Sequence, residues 1–94
     1  MGYYDMDGVE ITQSEWAALF GSSRRVVGNH RVNGFHISTV WLGLHHGEGA
    51  LTIFETMVFC HGGTVFECRY PTFAQAKAGH RKAVDMVVDG DFDE

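Results

Sequence analysis

Six histidines and two cysteines among 94 residues are the side chains with which this chain could hold a metal or attack a carbonyl. Their spacing restricts both. His45 and His46 follow the apolar run Trp41-Leu-Gly-Leu44, and neighbours at a strand end point to opposite sides, so a shared ion would need Glu48, His61 or His36 as a further ligand. Cys60, His61 and Cys68 lack the paired CxxC spacing of a zinc site. Cys60 and His61 as nucleophile and base would have to face one another across a tight turn, with no oxyanion hole beside them. No metal and no cofactor is assigned on these grounds. His80 is the histidine with the most open to it: it lies on the apolar stripe of a helix, directly after Gly79, which lets that helix approach its neighbour closely. A buried imidazole needs a partner for each ring nitrogen, and Tyr70, Thr56 and Thr39 are placed to serve. The competing reading is a small ligand-binding or enzymatic site in which His80 joins His46 and Glu55.

The elements that must position these groups are written in capping, turn and periodicity signals. Residues 11–21 read as a short helix: Thr12 is the N-cap, Glu15 completes a capping box, Ile11 can staple against Trp16, and Gly21 ends it. A second helix over 72–89 repeats the device with Thr72 and Gln75 after Pro71, and Phe73, Ala76, His80, Ala83, Val84 and Val87 fall on one face. Between them, 24–44 and 51–70 read as two consecutive hairpins. Asn33-Gly34 is a two-residue turn in which both residues accept positive φ, which sets Val32 opposite Phe35, His30 opposite Ile37 and Val26 opposite Trp41. Gly28 and Asn29 in that first strand suggest a bulge. Closing the second hairpin from Cys60 to Thr64 over His61-Gly62-Gly63 sets Val58 opposite Phe66, Thr56 opposite Cys68, Phe54 opposite Tyr70 and Glu55 opposite Arg69, the last an opposite-charge pair directly across the ladder.

The architecture that follows is α+β in a single domain spanning 1–94: an N-terminal arm (1–10), a short helix, a four-stranded antiparallel sheet, a C-terminal helix packed on one sheet face, and an acidic tail (90–94) expected to be frayed. The other sheet face is not polar enough to be left in water. Val27, Val40, Leu42, Ile53, Met57, Phe59 and Val65 are assigned to it, and an antiparallel sheet with a free face normally alternates more cleanly. The N-terminal helix, through Trp16, Leu19 and Phe20, a second copy in a homodimer, or a foreign partner must cover it.

Composition places the chain among globular proteins, at 45 % hydrophobic and 20 % charged residues. A net charge of −5, with Arg24, Arg25 and Arg31 as the basic cluster, argues against a nucleic-acid grip, which needs a basic stripe. Trp41, Phe35 and Tyr70 could form a base-stacking platform, but they are expected under the C-terminal helix. The glycine turns at 47–50 and 61–63 precede no helix that could meet a phosphate, as nucleotide loops require. No run reaches the roughly 20 apolar residues of a membrane-spanning helix, and no secretory leader is read at the start, so both thiols are expected to be reduced.

The strings Ser38-Thr-Val-Trp-Leu-Gly-Leu44 with His46, Ile53-Phe-Glu-Thr-Met-Val-Phe59, Arg69-Tyr70 and Ala78-Gly-His80 resemble a family of small accessory proteins of tailed bacteriophages, especially those of actinobacteria. The resemblance implies a phage protein working in the host bacterial cytoplasm, and the family offers no activity to carry over. The sequence reading is therefore a non-enzymatic protein that binds a host or phage protein, with Val40, Leu42, Ile53, Met57, Phe59, Val65, His46 and His80 as candidate binding residues. The alternatives are the His80, His46 and Glu55 site and a minor virion component.

Overall fold

A computed structural model describes residues 2–45 and 49–92. In chain order the elements are β1 (Gly2–Tyr4), β2 (Glu10–Ile11), α1 (Gln13–Phe20), a 3-10 turn (Ser23–Arg25), β3 (Val26–Val32), β4 (Phe35–Trp41), β5 (Leu44–His45), β6 (Phe54–Cys60), β7 (Gly63–Tyr70) and α2 (Phe73–Val88). β3-β4-β6-β7 form a four-stranded antiparallel sheet, and α2 packs on one face of it. The chain is an α+β fold. No helix among the described residues is long and apolar enough to cross a membrane.

Both hairpins close through two left-handed residues. Asn33 and Gly34 have φ of 51° and 84°, and His61 and Gly62 have 52° and 79°, the pattern whose twist matches that of the flanking strands. The second turn is one residue shorter than the sequence suggests: Cys60 pairs with Gly63 and Phe59 with Thr64. A register shift at Val58/Phe59 then takes up Val65 and restores the expected pairs Val58–Phe66, Glu55–Arg69 and Phe54–Tyr70. In the first hairpin His30 pairs with Ile37 as expected, but Val26 meets Val40 rather than Trp41, because a bulge between Val26 and Gly28 inserts one residue. That bulge turns Val27 toward the core beneath α2, away from the face assigned to it.

The caps fix both helices. Thr12 Oγ accepts from the Glu15 N–H at 3.2 Å while Glu15 Oε1 accepts from the Thr12 N–H at 3.0 Å; these bonds to the ionised form hold the Glu15 carboxyl below the usual carboxylate range. At α2, Thr72 Oγ accepts from the Gln75 N–H at 3.1 Å and its hydroxyl donates to Gln75 Oε1, so Gln75 serves the cap side chain rather than the cap N–H. α2 ends at Gly90, φ 79°, with the Gly90 N–H donating to Val87 O and the Asp91 N–H to Met86 O, a closure that needs a left-handed residue at this position. It turns Phe92 back onto Phe35 and Phe66, at ring-centroid distances of 6.1 and 5.6 Å. The expectation of a frayed 90–94 is thereby corrected at Phe92, whose ring joins the core around Ile37, Val58, Ala83 and Val87; Asp93 and Glu94 lie outside the described residues.

The N-terminal arm is structured as well. β1 lies between β2 and β5 in a small second sheet, and with α1 it closes the end of the large sheet where β4 leaves and β6 begins. Trp16, Leu19, Phe20, Tyr4 and Met6 pack on the cluster of Trp41, Ile53, Phe54 and Ala76. The Trp16 N–H donates to Leu42 O at 2.8 Å. Ile53 is fully buried there, which removes it from the free face: the chain turns at Gly43 (φ 69°) and brings Ile53 O to the N–H groups of Leu42 and Gly43, putting its side chain inside the closure.

Candidate functional site

The register aligns Gly28, Thr39, Thr56 and Cys68 in one row across the four strands, on the face that α2 covers. His80 stands over this row. Its Nδ1 lies 2.7 Å from Thr39 Oγ, and Thr39 Oγ is hydrogen-bonded to Thr56 Oγ; both threonines are fully buried. Its Nε2 lies 2.8 Å from His30 Nδ1 on β3. Two glycines make room for this. A Cβ on Gly28 would come within 2.6 Å of the His80 ring, and a Cβ on Gly79 would collide with the Tyr70 phenol.

An unbroken line of hydrogen bonds therefore runs from the exposed His30 through His80 and Thr39 to Thr56. It has two self-consistent directions. Either the His30 N–H donates to His80 Nε2 and His80 Nδ1–H to Thr39, or Thr39 donates to His80 Nδ1 and His80 Nε2–H to His30. Burial, and then the neighbouring charge of His30, push the His80 pKa below its ordinary 6.5. Burial likewise raises the Tyr70 phenol, which stands beside Thr56 and Cys68. A proton taken up by the unfolded chain near pH 6.5 is thus resisted by the folded one. The unfolded state binds more protons in that window, so stability is full above about pH 6.5 and declines as pH falls below it. Thermal melts between about pH 7.5 and 5.5 should show the midpoint dropping on acidification, with a shallower slope for His80→Gln; equal slopes would place the titration elsewhere.

Beside His80, β3 and α2 leave a cleft of about 320 Å³ lined by Val27, Gly28, His30, Lys77, His80, Arg81 and Val84. The structure satisfies His80 as foreseen at Thr39, and reaches Thr56 only through Thr39. The partner that sequence reasoning missed is His30. Its pairing opposite Ile37 already placed it on the α2 face, but nothing in the periodicity of α2 shows how far across the sheet that helix reaches. Glu55 does not join His80: it leaves by the opposite face and pairs with Arg69, Nε to Oε2 at 3.3 Å. His46 lies outside the described residues. No group of three or more His, Cys, Asp or Glu side chains that could hold a metal ion occurs among the described residues.

The opposite face carries most of the remaining candidates. Val40, Met57 and Phe59 lie on it and belong to neither core cluster; Val65, the residue taken up at the β7 bulge, is 39 % exposed, and Val26 45 %. His36 lies against Phe59 at 5.7 Å and donates from Nε2 to Asn29 Oδ1 at 2.7 Å. Leu42, half-buried, sits at the edge of this face, where Trp16 takes its carbonyl.

No known protein family, curated protein or solved structure matches the chain. Its chemistry must be read from these two faces.

Proposed function

We propose that this chain is a non-enzymatic binding module that docks another protein on the face of Val40, Met57 and Phe59. The observation that carries the reading is the placement of both helices: α2 covers one face of the large sheet and α1 closes one end, leaving the other face uncovered among the described residues, with Val40, Met57 and Phe59 beside His36, Ser38 and Glu55 on its two central strands and Arg31, Glu67 and Arg69 on the outer ones. Apolar side chains set among charged and hydrogen-bonding ones are the usual make-up of a non-obligate protein-docking surface. The separation of Glu55 from His80 speaks against the enzymatic alternative. The resemblance of the β4 and β6 strings to phage accessory proteins supports a host or phage protein as the partner, met in the host cell.

The test is capture from actinobacterial lysate, with and without phage infection, by the wild type and by Phe59→Asp. Phe59→Asp should lose the captured partner while remaining folded, at a cost of about 1–2 kcal/mol for a half-buried aromatic on a central strand packed against His36. Capture that survives Phe59→Asp and Met57→Asp but fails with Arg81→Gln would move the function to the cleft. A concentration-dependent mass abolished by Phe59→Asp would assign the face to a second copy, and recovery of the chain in purified particles at stoichiometric amounts would make it a virion component.

A further inference from the structure

The cleft between β3 and α2 is a separate feature, on the opposite side of the sheet from the docking face. Four of its seven lining residues, His30, Lys77, His80 and Arg81, are cationic or can become so, and none is acidic. This is not the by-product of a basic surface, since the chain carries a net charge of −5. Lys77 and Arg81 stand one helical turn apart, a like-charge spacing that costs a helix a few tenths of a kcal/mol. The ion pair found among the described residues is Arg69 with Glu55, on the other face, so neither Lys77 nor Arg81 is neutralised there. The Lys77 ammonium lies 5.7 Å from the Phe73 ring centroid, a contact that leaves its charge in place. Val27 and Val84 form apolar walls, and Gly28 leaves the floor open to the His80 ring.

We propose that this cleft binds a small organic phosphate monoester, its dianionic head held by Lys77, Arg81 and His30 and its organic body between Val27 and Val84. Two fixed cations call for a dianion rather than a carboxylate, and an arginine with neighbouring donors suits a tetrahedral oxyanion. The volume lies at the small end of the range for small-molecule sites and leaves space beyond the head group. Binding also recruits a proton. The His30–His80 pair shares one hydrogen between Nδ1 and Nε2, and a dianion in the cleft favours the charged form of an imidazole that lines it. The groups facing His80 are His30 from β3, Thr39 from β4, Thr56 behind it from β6, and Lys77 and Arg81 from α2, so the histidine pair is where such a proton resides.

Titration of the full chain with phenyl phosphate, inorganic phosphate and sulfate, followed by calorimetry and by the histidine proton resonances, decides it. Phenyl phosphate should bind saturably and more tightly than inorganic phosphate. Arg81→Gln and Lys77→Gln, both exposed, should each weaken it about tenfold or more, as loss of a charge-assisted hydrogen bond does, while Phe59→Asp leaves it unchanged. Sulfate, whose charge is constant over the range, should bind more tightly as pH falls, approaching tenfold per unit for one linked proton, and should shift the resonances of His30 and His80. The proposal is overturned by absence of saturable phenyl phosphate binding, by binding that both glutamine variants leave intact, by inorganic phosphate binding as well as phenyl phosphate, or by sulfate affinity independent of pH. Failure here leaves the docking face untouched, and loss of docking leaves this titration unaltered.

Discussion

Gly28→Ala should lower the stability of this protein by about 2 kcal/mol, within the usual cost of forcing extra volume into a packed core, although alanine is ordinarily the better residue in a strand by about 0.5–1 kcal/mol. The backbone at Gly28 is not in the left-handed region, so the glycine is there for space alone. An added Cβ would lie 2.6 Å from Cδ2 and Nε2 of His80 and 2.7 Å from Cε1. The ring has nowhere to go: it is tied to Thr39 at one nitrogen and to His30 at the other, and retreat breaks at least one of these bonds, worth about 1 kcal/mol. In a domain of this size the thermal midpoint should fall by roughly 10 °C. A double-mutant cycle with His80→Ala isolates the cause, since contacting residues couple where distant ones add. In the His80→Ala background Gly28→Ala should cost nothing or stabilise slightly. An equal cost in both backgrounds would show that the strand itself, and not the imidazole above it, requires glycine.

The same bulge explains where sequence reasoning succeeded and where it stopped. Signals carried by a few adjacent residues were legible: the Thr12 and Thr72 caps, the Asn33-Gly34 turn, and the Glu55–Arg69 pair that aligns β6 with β7. Those signals are local and each has one low-energy solution. Strand faces were harder, because one inserted residue moves every side chain beyond it to the other side. Val27 crossed to the α2 side at the β3 bulge, and Ile53 was drawn inward by the turn at Gly43. The small β2-β1-β5 sheet has strands of two or three residues, too short to show a period of two. His80 reads from the sequence as a buried imidazole with Tyr70, Thr56 and Thr39 as candidate partners, and of these Thr39 bonds it directly. The His30 contact depends on the lateral placement of α2, which a stripe of apolar residues along that helix does not encode.

Replacing His80 alone should be harmful, and replacing it together with its partners should not be. Thr39 and Thr56 are fully buried and bonded to one another, with His80 Nδ1 as the further partner of Thr39. In His80→Leu the ring volume is largely kept, but Thr39 loses that partner in a site where α2 limits the approach of water. A buried hydroxyl with unmet capacity costs about 1–3 kcal/mol, whereas an apolar replacement of all partners of like shape is close to neutral. The expected result is a loss of about 2 kcal/mol for His80→Leu, most of it recovered in His80→Leu/Thr39→Val/Thr56→Val, measured by denaturant unfolding above pH 7 so that imidazole protonation does not enter. Recovery would mean that the polar row is a self-contained hydrogen-bonded unit of the core, and that the chemistry of His80 toward ligands is exercised only at its Nε2 side, where His30 and the cleft lie. If His80→Leu alone costs nothing, water entering from the cleft must already reach Thr39; the row would then be an inward extension of the cleft, and a bound anion would have a hydrogen-bonded path to Thr56.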